Sequence, residues 1–178
     1  MLAGPSGVGK STLVRALLAR RPELFWSVSA TDRAPRPGEV DGVDYWFLTH
    51  DEFCRLRDDG GFLEWFEVYG DLKGTPRAPV EEHVAAGDDV LIEVDVQGAL
   101  AIREALPAAR LVFIKPPSHE IQRERLRARD PDADPADLER RLAAATAEAA
   151  EEGAFDEVVV NDDLDRAVDD LVAILDSA

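Results

Sequence analysis

The stretch Gly4-Pro5-Ser6-Gly7-Val8-Gly9-Lys10-Ser11 decides the fold of this chain. It matches the phosphate-loop pattern G-x-x-x-x-G-K-[ST] at every fixed position, and Thr12 follows it. Closely spaced glycines let backbone N–H groups turn inward around the phosphates of a nucleotide. Lys10 can reach the outer phosphates, and the Ser11 hydroxyl can coordinate Mg²⁺. Leu13, Val14, Leu17 and Leu18 mark a helix whose positive N-terminus would aim at the same anion. The plainer reading is a glycine-rich turn before a helix. The nucleotide reading is favoured because the motif sits where a strand should become a helix. Only Met1, Leu2 and Ala3 precede Gly4, against roughly five or six residues in an average strand. The sequence therefore predicts either a stub of strand here or a start further upstream.

Working outward, strand signals alternate with helix signals, which predicts an α/β fold with a parallel sheet covered by helices. Val90-Leu91-Ile92-Glu93-Val94-Asp95-Val96 reads as a buried strand, as does Leu111-Val112-Phe113-Ile114, and Val158-Val159-Val160 is the last. Thr49-x-x-Glu52 is a capping box opening a short helix. Asp134 and Pro135 suit the N-cap and first turn of an alanine-rich helix. Leu164, Val168, Leu171 and Leu175 form the stripe of the final helix. No repeat or interdomain linker interrupts the 178 residues. The expected organisation is one domain, with a core over 1–32 and 76–178, an inserted partly β subdomain over about 33–75, and a helical lid over about 122–142.

The net charge of −17, from 37 acidic against 20 basic residues, disfavours nucleic acid and anionic membranes as partners. No apolar run is long enough to span a membrane and no signal peptide is visible, so a cytoplasmic location is expected. Cys54 is the only cysteine, which excludes an intrachain disulfide and a cysteine metal cluster. Its neighbours Phe53 and Leu56 suggest ordinary helix packing rather than a reactive thiol. Against this acidic background, Arg33 with Arg36, and the group Arg123, Arg125, Arg127, Arg129, Arg140 and Arg141, read as sites for small anions. The second group reads equally well as a solvated face.

Glu93 and Asp95, two apart on the expected strand, would face the same side at its carboxyl end, where parallel sheets bind ligands. One would hold Mg²⁺ through water, and the other would accept hydrogen bonds from a base or ribose. The alternative for Asp95 is a helix-capping acid at the strand exit. Arg33 and Arg36 sit in a proline-stiffened loop, and their forks suit a phosphate dianion. Tyr45 adds a hydroxyl donor. Glu64, among aromatics, presents a carboxylate that suits the N1–H and 2-amino pair of guanine, which adenine lacks; taken alone it reads as an exposed strand residue.

Together these pieces resemble guanylate kinase over nearly the whole length. The matching motifs are Gly4 to Thr12, Ser27-Val28-Ser29-x-Thr31-x-Arg33-x-Pro35-Arg36-x-Gly38-Glu39, Asp41-Gly42-x-Asp44-Tyr45-x-Phe47, Leu63-Glu64-Trp65, Gly74-Thr75, Glu93-Val94-Asp95-x-Gln97-Gly98, Pro116-Pro117-Ser118 and Val160-Asn161-Asp162. The resemblance implies ATP + GMP ⇌ ADP + GDP with Mg²⁺ as cofactor. It implies ATP at Gly4, Pro5, Ser6, Gly7, Val8, Gly9, Lys10, Ser11 and Thr12. Guanine would sit on Ser29, Glu64 and Asp95, with Thr75 beside them, and the GMP phosphate on Arg33, Arg36 and Tyr45. The metal would be held by Ser11 and, through water, by Glu93. Lys10 and Arg36, with lid arginines matching Arg125, Arg129 and Arg141, would carry catalysis. Two other classes are weighed: a kinase for another small phosphorylated acceptor, against which Ser29, Glu64 and Asp95 argue, and a non-catalytic guanylate-kinase-like binding module, against which the intact phosphate loop argues. The chain departs from the family's pattern at Lys73, where a second phosphate-binding tyrosine is usual. It departs also at Asp32, where Thr is common, and after Arg129.

Overall fold

A computed structural model describes residues 1–68, 70–129 and 134–177. In chain order the elements are β1 (Leu2–Ala3), α1 (Lys10–Arg20), β2 (Phe25–Ser27), β3 (Ala30–Thr31), β4 (Trp46–Phe47), α2 (His50–Asp58), β5 (Phe62–Val68), β6 (Asp71–Pro76), α3 (Arg77–Ala86), β7 (Val90–Ile92), α4 (Val96–Ala105), β8 (Val112–Lys115), α5 (His119–Arg129), α6 (Pro135–Ala149), β9 (Glu157–Val160) and α7 (Leu164–Asp176). This is an α/β fold. It divides into two compact units: Met1–Pro22 with Glu93–Leu100 and Ala108–Ala178, and Glu23–Ile92 with Ala101–Pro107. The division falls at other points than the subdomain limits expected from sequence, because β2 pairs with β7 and both belong to the second unit.

In the first unit, β1, β8 and β9 form a parallel sheet in the order β1-β8-β9, with Leu2 opposite Val112 and Ala3 opposite Phe113. Two residues of β1 suffice to hydrogen-bond in register, and both are buried. The helices supply the rest of the core. Leu13, Val14 and Leu17 of α1 and Ala167, Val168 and Leu171 of α7 are fully or nearly fully buried. These helices lie against one another, and Arg20 and Arg21 of α1 pair with Asp165, Asp169 and Asp176 of α7 along the exposed rim. Asp134 caps α6 by accepting from Ala136 N, and Pro135 opens the helix. Proline is tolerated there because its missing N–H would have had no intrahelical partner.

In the second unit, β4-β3-β6-β5 make a mixed four-stranded sheet, and β2 and β7 make a parallel pair. Helix α2 starts on the expected capping box: Thr49 Oγ1 accepts from Glu52 N, while Glu52 reaches back to Thr49 N at 2.8 Å. Its Phe53 is fully buried and stacks on Phe62 of β5, with ring centroids 4.4 Å apart. Ala30 and Leu72 complete that cluster.

The strand expected over Val90–Val96 ends at Ile92. Glu93 forms only an isolated bridge to Leu2, and Val96 already belongs to α4. The physical reason is Asp95, whose Oδ1 accepts from Gly98 N at 2.7 Å and so caps that helix. Of the two readings of Asp95, the capping one is observed. Glu93 and Asp95 therefore share no strand face, since neither lies on a strand.

Candidate active site

The phosphate loop occupies the turn between β1 and α1 in the first unit. Gly4 packs so tightly against β8 that an added Cβ would sit 2.3 Å from Ile114 O. Gly9 takes the left-handed conformation, at φ 93°, as N-cap of α1. A side chain there would also collide with Asn161 Nδ2, at 2.5 Å. These two positions therefore require glycine. Val8, between the last two glycines, is wholly buried.

The loop's shape is fixed from outside by three side chains. Asn161 Nδ2 donates to Val8 O at 2.7 Å, and Arg125 Nη1 donates to the same oxygen at 3.1 Å. Arg125 Nη2 closes the triangle on Asn161 O at 3.0 Å. Gln122 Nε2, almost fully buried, donates to Ser6 O at 2.8 Å. Gln122 and Arg125 lie one turn apart on α5, so a single helix face grips the loop. Sequence reasoning placed Arg125 among arginines on the transferring phosphates; in the structure its fork rests on the carbonyls of Val8 and Asn161. It overlooked Gln122 entirely and gave Asn161 no role, although Val160-Asn161-Asp162 was among the matching motifs.

Lys10 Nζ donates to Gly4 O and reaches Pro5 O at 3.4 Å, so it arches over the loop it belongs to. Ser11 Oγ donates to Glu93 Oε1 at 3.1 Å. A hydroxyl and a carboxylate oxygen this close form an oxygen-only donor pair, the type that suits Mg²⁺ when it keeps most of its own water and phosphate ligands. Glu148 of α6, which no motif flagged, is pushed above the usual carboxylate range. Burial is the main cause; Lys10 opposes the shift and Asp95 adds to it, so the three groups interact electrostatically.

The second arginine cluster divides. Arg123 pairs with Glu139 at 2.6 Å and Arg140 with Asp137, both on exposed surface, which is the solvated-face reading. Arg141 is half-buried on α6. The side chain of Arg129 and the lid residues 130–133 lie outside the described residues.

The second unit builds a separate polar surface on β3, β6 and the loop after β3. Arg33 makes a two-pronged pair with Glu39, both bonds at 2.8 Å, and its guanidinium lies 5.4 Å from the Tyr45 ring centre. Glu39 also accepts from Arg36 N at 2.7 Å, so one carboxylate shapes the whole arginine loop. Arg33 and the loop N–H hold the Glu39 carboxyl far below its ordinary value, at about 2. Lys73 Nζ stands 5.5 Å over the Tyr45 ring. Arg33 and Lys73 therefore both lie over Tyr45, while Arg36 is exposed. Lys73 is opposite Thr31 in the sheet, and Ser29 O accepts from Trp46 N at 2.9 Å. Thr75, wholly buried, donates to Glu64 Oε1 at 2.6 Å, directly across the β5–β6 pairing. That bond fixes how the Glu64 carboxylate is turned.

The profile of the guanylate kinase family matches residues 1–178. The chain belongs to the guanylate kinase family. It is 52% identical over 177 residues to a guanylate kinase of Rhodococcus jostii, covering 98% of this chain and 85% of that protein. It is 51% identical over 175 residues to one from Synechocystis, covering 98% and 91%. A crystal structure of guanylate kinase from Anaplasma phagocytophilum superposes with a TM-score of 0.81 at 34% identity, over 99% of this chain and 84% of that one.

Proposed function

We propose that this chain transfers a phosphoryl group from ATP to GMP, giving ADP and GDP, with its phosphate-loop unit binding ATP and its mixed-sheet unit binding GMP. The observation that carries a catalytic reading over a binding module is the Ser11–Glu93 hydrogen bond beside an intact loop. It joins the two oxygen ligands that an ATP-bound Mg²⁺ would use, Glu93 through water. When bound, that ion neutralises charge on the phosphate oxygens.

Phosphoryl transfer asks for alignment and charge neutralisation more than covalent help. Gly4 to Thr12, apart from Pro5, supply N–H groups and Lys10 supplies a positive charge. Arg125 positions the loop, and Arg129 and Arg141 are proposed on the ATP side. Arg33, Arg36, Tyr45 and Lys73 bind the GMP phosphate. Ser29, Glu64 and Thr75 select guanine, with Thr75 orienting Glu64. No side chain need act as a base, because a phosphate oxygen of GMP is already nucleophilic.

Lys10→Ala tests the catalytic reading. It should abolish transfer to GMP nearly completely while leaving the melting temperature close to wild type. Substantial turnover by the folded variant would contradict the assignment.

A further inference from the structure

Asp32 has no part in the chemistry above, yet its side chain is only 8% exposed. A carboxylate so buried has to be paired. Its Oδ1 accepts from Leu72 N at 2.6 Å, and its Oδ2 lies 2.7 Å from His50 Nδ1. An ionised carboxylate has no proton to give, so the proton on the second bond belongs to Nδ1. In the neutral ring Nε2 then presents a lone pair, and it lies 3.5 Å from Cys54 Sγ. His50 and Cys54 stand four apart on α2 and therefore on one face.

The three side chains form a relay of acid, base and thiol, with the spacing expected of an activated nucleophile and its orienting group. The His50 side chain is 69% exposed, so a reagent can approach, and Cys54 is half-buried against the Ala30, Phe53, Phe62 and Leu72 cluster. Cys54 does pack on that cluster, as the sequence predicts; its link to Asp32 through His50 leaves no local signal, because Asp32 lies eighteen residues before His50.

We propose that Cys54 is a reactive thiol that exchanges with low-molecular-weight disulfides, with His50 as its base and Asp32 as the positioning acid. As Sγ attacks one sulfur of R–S–S–R, its proton moves to His50 Nε2. The Cys54–S–S–R bond forms, the bond between the two reagent sulfurs breaks, and the leaving thiolate takes the proton away as R–S–H. The disulfide is reduced as Cys54 is oxidised, so no other redox partner is required.

The relay also touches the acceptor surface. Asp32 N donates to Leu72 O at 3.2 Å, and Arg33 and Lys73 are the residues that follow each of them. A group carried on Sγ would crowd the imidazole, break the Asp32–His50 bond and loosen the seam that places Arg33 and Lys73. This consequence rests on the GMP-site reading; the thiol chemistry does not.

The test follows reaction of the folded protein with an aromatic disulfide whose released thiolate absorbs visible light. With one cysteine in the chain, the signal reports Cys54 alone. At neutral pH His50→Gln should react roughly tenfold more slowly than wild type, with Asp32→Asn between them. Asn at position 32 keeps an acceptor for Leu72 N. Equal rates in wild type and folded His50→Gln would overturn the relay. A second measurement needs no variant. The folded wild type should react faster than the same chain in denaturant, although folding half-buries the thiol; slower reaction when folded would overturn activation. Finally, the mixed disulfide should raise KM for GMP, leave KM for ATP unchanged, and revert with a thiol reductant. An unchanged GMP KM would overturn the coupling to the acceptor surface. Absence of GMP turnover in the unmodified protein would instead refute the kinase assignment, with the thiol rates unaffected.

Discussion

Asn161 Nδ2 donates to the carbonyl oxygen of Val8 at 2.7 Å, across 153 residues of sequence. The side chain is buried and the loop it braces carries Lys10 and Ser11. A residue just after β9 thus sets the curvature of the turn after β1, and the same amide fills the space that only a glycine at position 9 leaves open.

Asn161→Ala should cost about 1–3 kcal/mol of stability, because it opens a gap and removes one of two donors to a buried carbonyl. It should also raise KM for ATP more than KM for GMP. Thermal denaturation and steady-state kinetics check both parts, and an unchanged ATP KM would assign Asn161 a purely structural role.

Thr75→Val removes the donor that orients Glu64 while keeping the buried volume. The expected effect is a rise of about tenfold in KM for GMP, equivalent to ~1.4 kcal/mol, with ATP KM unchanged. Parallel changes in both constants would show general loosening of the sheet rather than lost guanine selection.

The Arg33–Glu39 pair gives a pH signature. Glu39 has its folded pKa depressed to about 2, below the unfolded value of about 4.3. Its contribution to stability is therefore complete above the unfolded value and disappears as pH falls towards the folded one. Melting temperature should fall across that acid window in wild type, and Glu39→Gln should be less stable near neutrality with a shallower acid decline. Identical acid profiles would mean that the pair contributes nothing.

Much of this was legible in the chain because the signals were local. The phosphate loop, the Thr49–Glu52 capping box and the Asp134–Pro135 helix start each depend on residues within a few positions of one another. The last helix declared itself by the periodicity of Val168 and Leu171. What escaped depends on partners far away. Strand β6 is Asp-Leu-Lys-Gly-Thr-Pro, poor in β propensity, and is a strand because β5 and β3 pair with it on both sides. The two residues of β4 exist only through β3. Asp95 shows a local signal losing to another: an apolar run argued for a longer strand, but the carboxylate captured Gly98 N and started a helix. Gln122 and Asn161 could not be recognised as loop braces, since polar side chains reaching backbone oxygens more than a hundred residues away leave no periodic trace.

Lys73, where the family usually has tyrosine, should make GMP binding salt-sensitive, because an ammonium above the Tyr45 ring adds a screened charge contact to the phosphate. KM for GMP should rise with ionic strength more steeply in wild type than in Lys73→Met. Superimposable salt dependences would place Lys73 outside the phosphate site.

If polar groups on β5 and β6 select guanine, this kinase should discriminate sharply between GMP and AMP. The most direct measurement is kcat/KM for GMP and for AMP at saturating ATP and Mg²⁺. A site built to hydrogen-bond one base leaves buried groups unpaired with another, which rejects the wrong one by a factor on the order of 10⁴. GMP should be preferred by at least about a thousandfold, with that preference collapsing in Glu64→Gln; comparable kcat/KM for the two nucleotides in the wild type would rule out guanine selection by these groups.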